Sequence, residues 1–220
     1  MLDARDSLLQ RLNATVMVPR FSTLSPLAQS GHRFLMGSNG LWLEIKRPWL
    51  HARVQLTEPA PVAMPYGTVE PVVDLALPSL SLELLRQFTD MARASCPIES
   101  AVWIVWNESS GQLALRQLPV LSAGAGHVHF ERPQLAPGEH LVIDLHSHGA
   151  SRAYFSQQDD LDDRGEVKIS GVFGHCHQEH LSVKFRLCLL GKFIPLSADL
   201  AADGGITWSI QWNTSSTARC

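Results

Sequence analysis

The residues with the clearest chemical potential are His146-Ser-His148, followed by Ser156 and Asp159. Residues two apart on an extended strand face the same side, so the two imidazoles can reach a single ion. The seven intervening residues allow a loop to return the chain, and Ser156 three positions before Asp159 is typical of a helix N-terminus. We therefore predict that His146, His148 and Asp159 bind one ion, and zinc suits two imidazoles and a carboxylate.

A hydrolytic role for this ion would also require a base. Three protein ligands leave a fourth position for water, whose pKa zinc brings down toward about 7. We predict Glu99 as the general base, because it precedes the apolar run Ala101–Trp106, which could pair with the strand ending at His146. Glu108 is the reserve candidate, but it follows that run beside Asn107, where a turn is the simpler interpretation.

Hydrophobic spacing predicts the elements that position these residues. Leu84, Phe88 and Met91 recur at helical spacing, which predicts a helix from about Pro78 to Ser95. Apolar and β-branched runs after this helix predict further strands at residues 101–106, 113–120, 126–130 and 140–146. The order of elements predicts an α/β (α+β) fold, with Trp103 and Trp106 in the core.

The N-terminal part has a different pattern. Residues 4–13 predict a short helix, and alternation between Phe34 and Leu56 predicts two or three antiparallel strands. The segment 58–65 contains three prolines and reads as a linker. We predict a small β-rich extension over residues 1–65 and a catalytic domain over residues 66–220.

Composition excludes several classes of function. The net charge is −3, and no stripe of Lys and Arg suits a phosphate backbone, so nucleic acid is a poor partner. No apolar run approaches the roughly 20 residues that cross a bilayer, and residues 1–10 lack an export signal. These features predict a cytoplasmic protein without membrane association.

A Glu that follows a helix at the head of an apolar strand, and then H-x-H-x7-S-x2-D, resembles the JAMM motif of the MPN+ (Mov34/JAB) metalloproteases. The resemblance covers roughly residues 79–196. It implies a cytidine deaminase-like mixed sheet flanked by helices, one zinc ion per chain, and hydrolysis of peptide or isopeptide bonds, often at the tail of a ubiquitin-like protein.

The resemblance also implies a role for each motif residue. By position, His146, His148 and Asp159 would bind zinc, and Glu99 would activate water. Ser156 would help to stabilise the tetrahedral intermediate.

Four further strings resemble protein A of the PRTRC systems, which occur on bacterial plasmids and integrative elements. They are Asp144–Gly149, Asp159–Asp163, Gly171–Gly174 and Arg186–Gly191. This finer resemblance implies a ubiquitin-like protein as substrate and an E1-related, ThiF-like protein as a partner.

Other interpretations of the same residues stay open. The domain could be a non-catalytic MPN-type scaffold, or a zinc amidase acting on small amides or cell-wall peptides. His175, Cys176, His177 and His180 could bind a second zinc ion, although a polar loop between strands is the simpler interpretation. The nearby Asp160, Asp162 and Asp163 are predicted to form the solvated face of the helix that carries Asp159.

Overall fold

The computed structural model describes residues 3–210, which contain three helices and 14 strands. The chain divides after Leu77 into two compact units. None of the helices in the described residues is long and apolar enough to cross a bilayer.

The first unit contains one helix and a five-stranded sheet. Its elements are α1 (Ala4–Leu12), β1 (Thr15–Met17), β2 (Gly31–Gly37), β3 (Gly40–Arg47), β4 (Leu50–Gln55) and β5 (Val72–Leu75). The sheet order is β1-β2-β3-β4-β5, with β1 parallel to β2 and the remaining pairs antiparallel. The antiparallel strands predicted between Phe34 and Leu56 are confirmed as β2, β3 and β4.

The proline-rich segment 58–65 lies inside the first unit. Strand β5 follows this segment and pairs with β4, with Leu75 opposite Leu50. The unit therefore extends beyond the boundary predicted after residue 65, because a strand distant in sequence completes its sheet.

The second unit is built on a seven-stranded mixed sheet. Its helices are α2 (Leu82–Ser95) and α3 (Gln157–Asp163). Its strands are β6 (Ala101–Asn107), β7 (Leu113–Gln117), β8 (Val120–Gly124), β9 (His127–Phe130), β10 (Glu139–Ser147), β11 (Val167–Gly174), β12 (Ser182–Leu189), β13 (Lys192–Leu200) and β14 (Ile206–Ile210). The sheet order is β14-β13-β12-β11-β10-β6-β7, and β8 and β9 form a separate hairpin.

Helix α2 covers one face of this sheet. Its N-cap Ser81 accepts a hydrogen bond from the Glu83 N–H, and Phe88 packs edge-on against Phe173 of β11 with ring centroids 5.0 Å apart. The helix begins four residues later than predicted, because Leu80 instead forms a β-bridge with Ile206.

The opposite face of the sheet carries a cluster of buried apolar side chains. Ala101, Trp103 and Val105 of β6 are buried there, and Val128 and Phe130 of the β8–β9 hairpin pack against them. Trp103 and Trp106 are both buried, as predicted. The mixed sheet with helices confirms the predicted α/β (α+β) class.

Candidate metal centre

The two histidines lie where the central strand β10 leaves the sheet. His146 is opposite Ala101 of β6 and next to Val172 of the parallel strand β11. The His148 N–H donates to the carbonyl oxygen of Phe173 at 2.7 Å, so the extended backbone continues past the strand end. Both rings face the same side, with centroids 5.1 Å apart.

Asp159 reaches the histidines from the first turn of α3. The Ser156 hydroxyl oxygen accepts a hydrogen bond from the Asp159 N–H at 3.1 Å, and the Asp159 carboxylate accepts one from the Ser156 N–H at 2.6 Å. This reciprocal capping box fixes the start of the helix and aims the Asp159 side chain back toward β10.

The three side chains have the spacing that a tetrahedral ion requires. Bonds of about 2.0 to 2.1 Å in tetrahedral geometry separate two ligand atoms by about 3.3 to 3.4 Å. The Nε2 atoms of His146 and His148 are 3.2 Å apart. Asp159 Oδ1 lies 3.2 Å from His146 Nε2, and Asp159 Oδ2 lies 3.7 Å from His148 Nε2. The three side chains therefore converge closely enough to hold one metal ion.

Electrostatics in the centre favour a cation. Burial alone would raise the pKa of Asp159, but the adjacent His146 and His148 rings outweigh burial and hold that pKa far below its usual range. Burial alone would lower the pKa of His146, yet Asp159 raises it overall. The carboxylate thus stabilises positive charge at the place where an ion would sit.

Glu99 lies beside this centre. It is 9% exposed and lines the same cavity as the three potential ligands. Its N–H donates to the carbonyl oxygen of Gly124 at 2.9 Å, which ties the segment before β6 to the β8–β9 hairpin. Burial raises the pKa of Glu99, and the nearby His148 and His146 offset part of that increase.

The reserve candidate Glu108 lies away from the centre. It follows β6, whereas Glu99 precedes it, so the length of a seven-residue strand, about 23 Å, separates them. Its carboxylate is 3.3 Å from His140 Nε2 and does not line the cavity.

The cavity at the metal centre has a volume of about 360 Å³. The β8–β9 hairpin forms one wall through His127, His129 and Phe130, and Ser156 and Tyr154 line it near α3. The Tyr154 ring packs edge-on against His148, with centroids 4.6 Å apart. This wall could not be predicted from the metal motif, since the hairpin ends 16 residues before His146 in sequence.

A group of buried charged residues near the centre was not predicted from the sequence. Asp163 is 3% exposed, so its predicted place on a solvated helix face is wrong. It contacts Lys168 and Arg186, which are each 5% exposed. A signal was present in the sequence, because Asp163 lies one helical turn after Asp159 and shares its face.

The possible second zinc site receives no support. Among the described residues, His146, His148 and Asp159 form the only group of three or more metal-binding side chains that converge. The rings of His175 and His177 are 6.4 Å apart and nearly perpendicular, and Cys176 is buried.

Comparison with known proteins agrees with this geometry. Residues 81–188 match the family described as prokaryotic homologs of the JAB domain, and residues 3–76 match a domain of unknown function, DUF2016. The first match supports a JAB/MPN-type domain in the second unit, and the mixed α/β architecture is consistent with that fold.

Two further comparisons provide no additional support for a family or a function. The solution structure of protein DSY2949 from Desulfitobacterium hafniense is 14% identical, with a TM-score of 0.39 over 59% of this chain and 88% of that chain. No curated protein matches the chain.

Proposed function

We propose that the second unit is a zinc-dependent hydrolase that cleaves a peptide or isopeptide bond at the tail of a ubiquitin-like protein. The observation that carries this proposal is the convergence of His146, His148 and Asp159 at tetrahedral spacing in a cavity that Glu99 also lines. The JAB-domain match supports the class, since some members of that family are isopeptidases of the JAMM type.

The chain supplies most of the required groups itself. His146, His148 and Asp159 would hold the ion, which when bound would polarise the scissile carbonyl and acidify a water molecule. Glu99 would accept the proton of the attacking water and pass it to the leaving nitrogen, so that the amide and water become an acid and an amine. The raised pKa makes the Glu99 carboxylate a stronger base for the proton of the attacking water.

The hydroxyl group of Ser156 can still donate a hydrogen bond. Its oxygen accepts the Asp159 N–H, and a hydroxyl can accept and donate simultaneously. Because Ser156 lines the cavity, its O–H would donate to the oxygen that gains charge as water attacks the carbonyl.

The proposed substrate and partner follow from the finer resemblance. Strings such as Asp144–Gly149 and Arg186–Gly191 support a protein of the PRTRC A type. For such a protein we propose a ubiquitin-like protein as substrate and an E1-related, ThiF-like protein as partner. Among the described residues, Cys96, Cys176 and Cys188 are free thiols, which agrees with the cytoplasm as the proposed location.

The test is a zinc and cleavage assay on the full chain. The substrate is a small ubiquitin-like protein that carries a fluorogenic amide at its C-terminus, and a short peptide amide serves as comparison. We expect one zinc ion per chain, loss of both zinc and cleavage in His148→Ala, and retention of zinc with at least about a 100-fold loss of kcat in Glu99→Gln.

Glu108→Gln provides the matched control. It makes the same chemical change at the opposite end of β6, and we expect wild-type cleavage. A zinc-loaded protein that cleaves neither substrate would contradict the proposal and favour a scaffold. Cleavage of the short amide alone would instead indicate a small-amide hydrolase.

A further inference from the structure

Helix α3, which carries Asp159, has little apolar anchoring. It contains seven residues, and Asp163 is the only buried one. Its single large apolar side chain, Leu161, is 51% exposed. A helix of two turns is not stable alone, and tertiary contacts must hold it. The position of Asp159 therefore depends on contacts other than hydrophobic packing.

Two cations of the sheet supply those contacts. Lys168 Nζ on β11 lies 2.6 Å from the Asp144 carboxylate on β10 and 2.9 Å from the Asp163 carboxylate on α3. Arg186 on β12 donates from Nη2 to the same Asp163 carboxylate at 2.8 Å and pairs with Asp160. The cations also balance a helix that carries four aspartates and no basic residue.

The spacing of these contacts matches the spacing of the metal ligands. Asp144 precedes His146 by two residues on β10, a distance of about 6.8 Å along a strand. Asp163 follows Asp159 by four residues on α3, a distance of about 6 Å along a helix. The Asp144–Lys168–Asp163 bridge therefore links the same two elements as the His146–Asp159 pair, one step further from the ligands.

Arg186 also fixes the chain just before the helix. Its guanidinium lies between the rings of Phe155 and Phe193, 3.9 Å from each centroid. Phe155 immediately precedes the N-cap Ser156. One arginine thus contacts the entry, the first turn and the last turn of α3.

We propose that Lys168 and Arg186 are positioning residues, which hold α3 on the sheet so that Asp159 meets the two histidines. This inference rests on the proposed metal site, because its consequence is tighter zinc binding. Neither cation is one of the three proposed ligands, and each acts through the placement of the helix.

The test measures zinc affinity and helix order in the full chain. Affinity is measured by competition with a chromophoric chelator, and helix order by deuterium exchange of amides 157–163 in the metal-free protein. We expect Lys168→Met and Arg186→Met each to weaken zinc binding by about tenfold or more and to speed exchange in α3. Lys168→Arg retains the charge and should recover most of the affinity.

Arg33→Met is the matched control in the first unit. It removes a guanidinium 2.5 Å from the buried carboxylate of Glu44, and we expect unchanged zinc affinity and unchanged exchange in α3. Wild-type zinc affinity together with wild-type α3 exchange in both methionine variants would overturn the inference.

Two further measurements separate the possible failures. If wild type binds no zinc, the proposed function fails, yet α3 exchange in the metal-free protein still reports on positioning. If the methionine variants do not fold, Asp160→Asn removes one contact of Arg186 at a half-exposed side chain. We expect faster α3 exchange in that variant, and unchanged exchange would overturn the inference.

Discussion

At the scale of single residues, Asp163 shows how the buried charges depend on one another. Burial alone would raise the pKa of its carboxyl group, but Lys168 and Arg186 outweigh burial and bring the pKa below its usual value of 3.8. A carboxyl group with a depressed pKa stabilises the folded state above its unfolded pKa, and this contribution is lost as the pH falls.

This shift predicts an acid-dependent loss of stability. Removing one partner from a buried pair is strongly destabilising, so we expect Asp163→Asn to lower the free energy of unfolding by about 3 kcal/mol at pH 7. The difference from wild type should stay constant down to about pH 5 and shrink below about pH 4. Urea unfolding of the metal-free proteins across this range measures it.

The pH dependence of that difference decides the interpretation. A gap between wild type and Asp163→Asn that is equally large at pH 3 and pH 7 would mean that the ionised carboxylate is not what stabilises the fold.

The sequence predicted the site unevenly at this scale. His146, His148, Ser156 and Asp159 lie within 14 residues, so local strand and helix periodicity was enough to bring them together. Lys168 and Arg186 could not be assigned, because their partners come from α3 and β10, and only the sheet order brings these elements together.

At the scale of elements, the turn after His148 is tightly packed. Gly149 has φ of +51°, and a Cβ there would lie 2.2 Å from the carbonyl oxygen of Pro97. Pro97 belongs to the segment that leads to Glu99. One glycine therefore allows the histidine turn and the glutamate segment to approach each other.

We expect Gly149→Ala to disturb the metal centre. Positive φ costs an alanine about 1 kcal/mol, and the contact with Pro97 must move backbone as well. Stability and zinc affinity should both fall, as measured by urea unfolding and chelator competition. Gly111 is the control, since its φ is +69° and no atom would lie within 4 Å of a Cβ.

The comparison of the two alanine variants isolates the close contact. Gly111→Ala should lose only the stability that backbone strain at positive φ costs, and it should retain wild-type zinc affinity. If both variants lose stability equally and bind zinc equally well, the contact between Gly149 and Pro97 has no role in the centre.

The helices and about half of the strands in the described residues followed from sequence periodicity, whereas β11 to β14 were not predicted and several element ends were misplaced. The apolar run Ala101–Trp106 is buried throughout, as a strand covered on both faces requires. The start of α2 was placed too early because the Leu80–Ile206 bridge joins residues more than 100 positions apart. Local patterns carry no information about such pairs.

At the scale of the whole molecule, each unit has its own sheet. The predicted division after residue 65 used proline content, which marks an irregular segment but does not show whether a strand beyond it returns to the same sheet. Strand β5 does return, and the DUF2016 match ends at residue 76, one residue before the division at Leu77.

The central claim is that His146, His148 and Asp159 together bind one zinc ion. X-ray absorption spectroscopy of the zinc-loaded chain tests it most directly. We predict a first shell of nitrogen and oxygen at about 2.0 to 2.1 Å with outer-shell scattering from two imidazoles, and loss of this signal in His148→Ala. Sulfur scattering at about 2.3 Å, or a spectrum unchanged in His148→Ala, would contradict it.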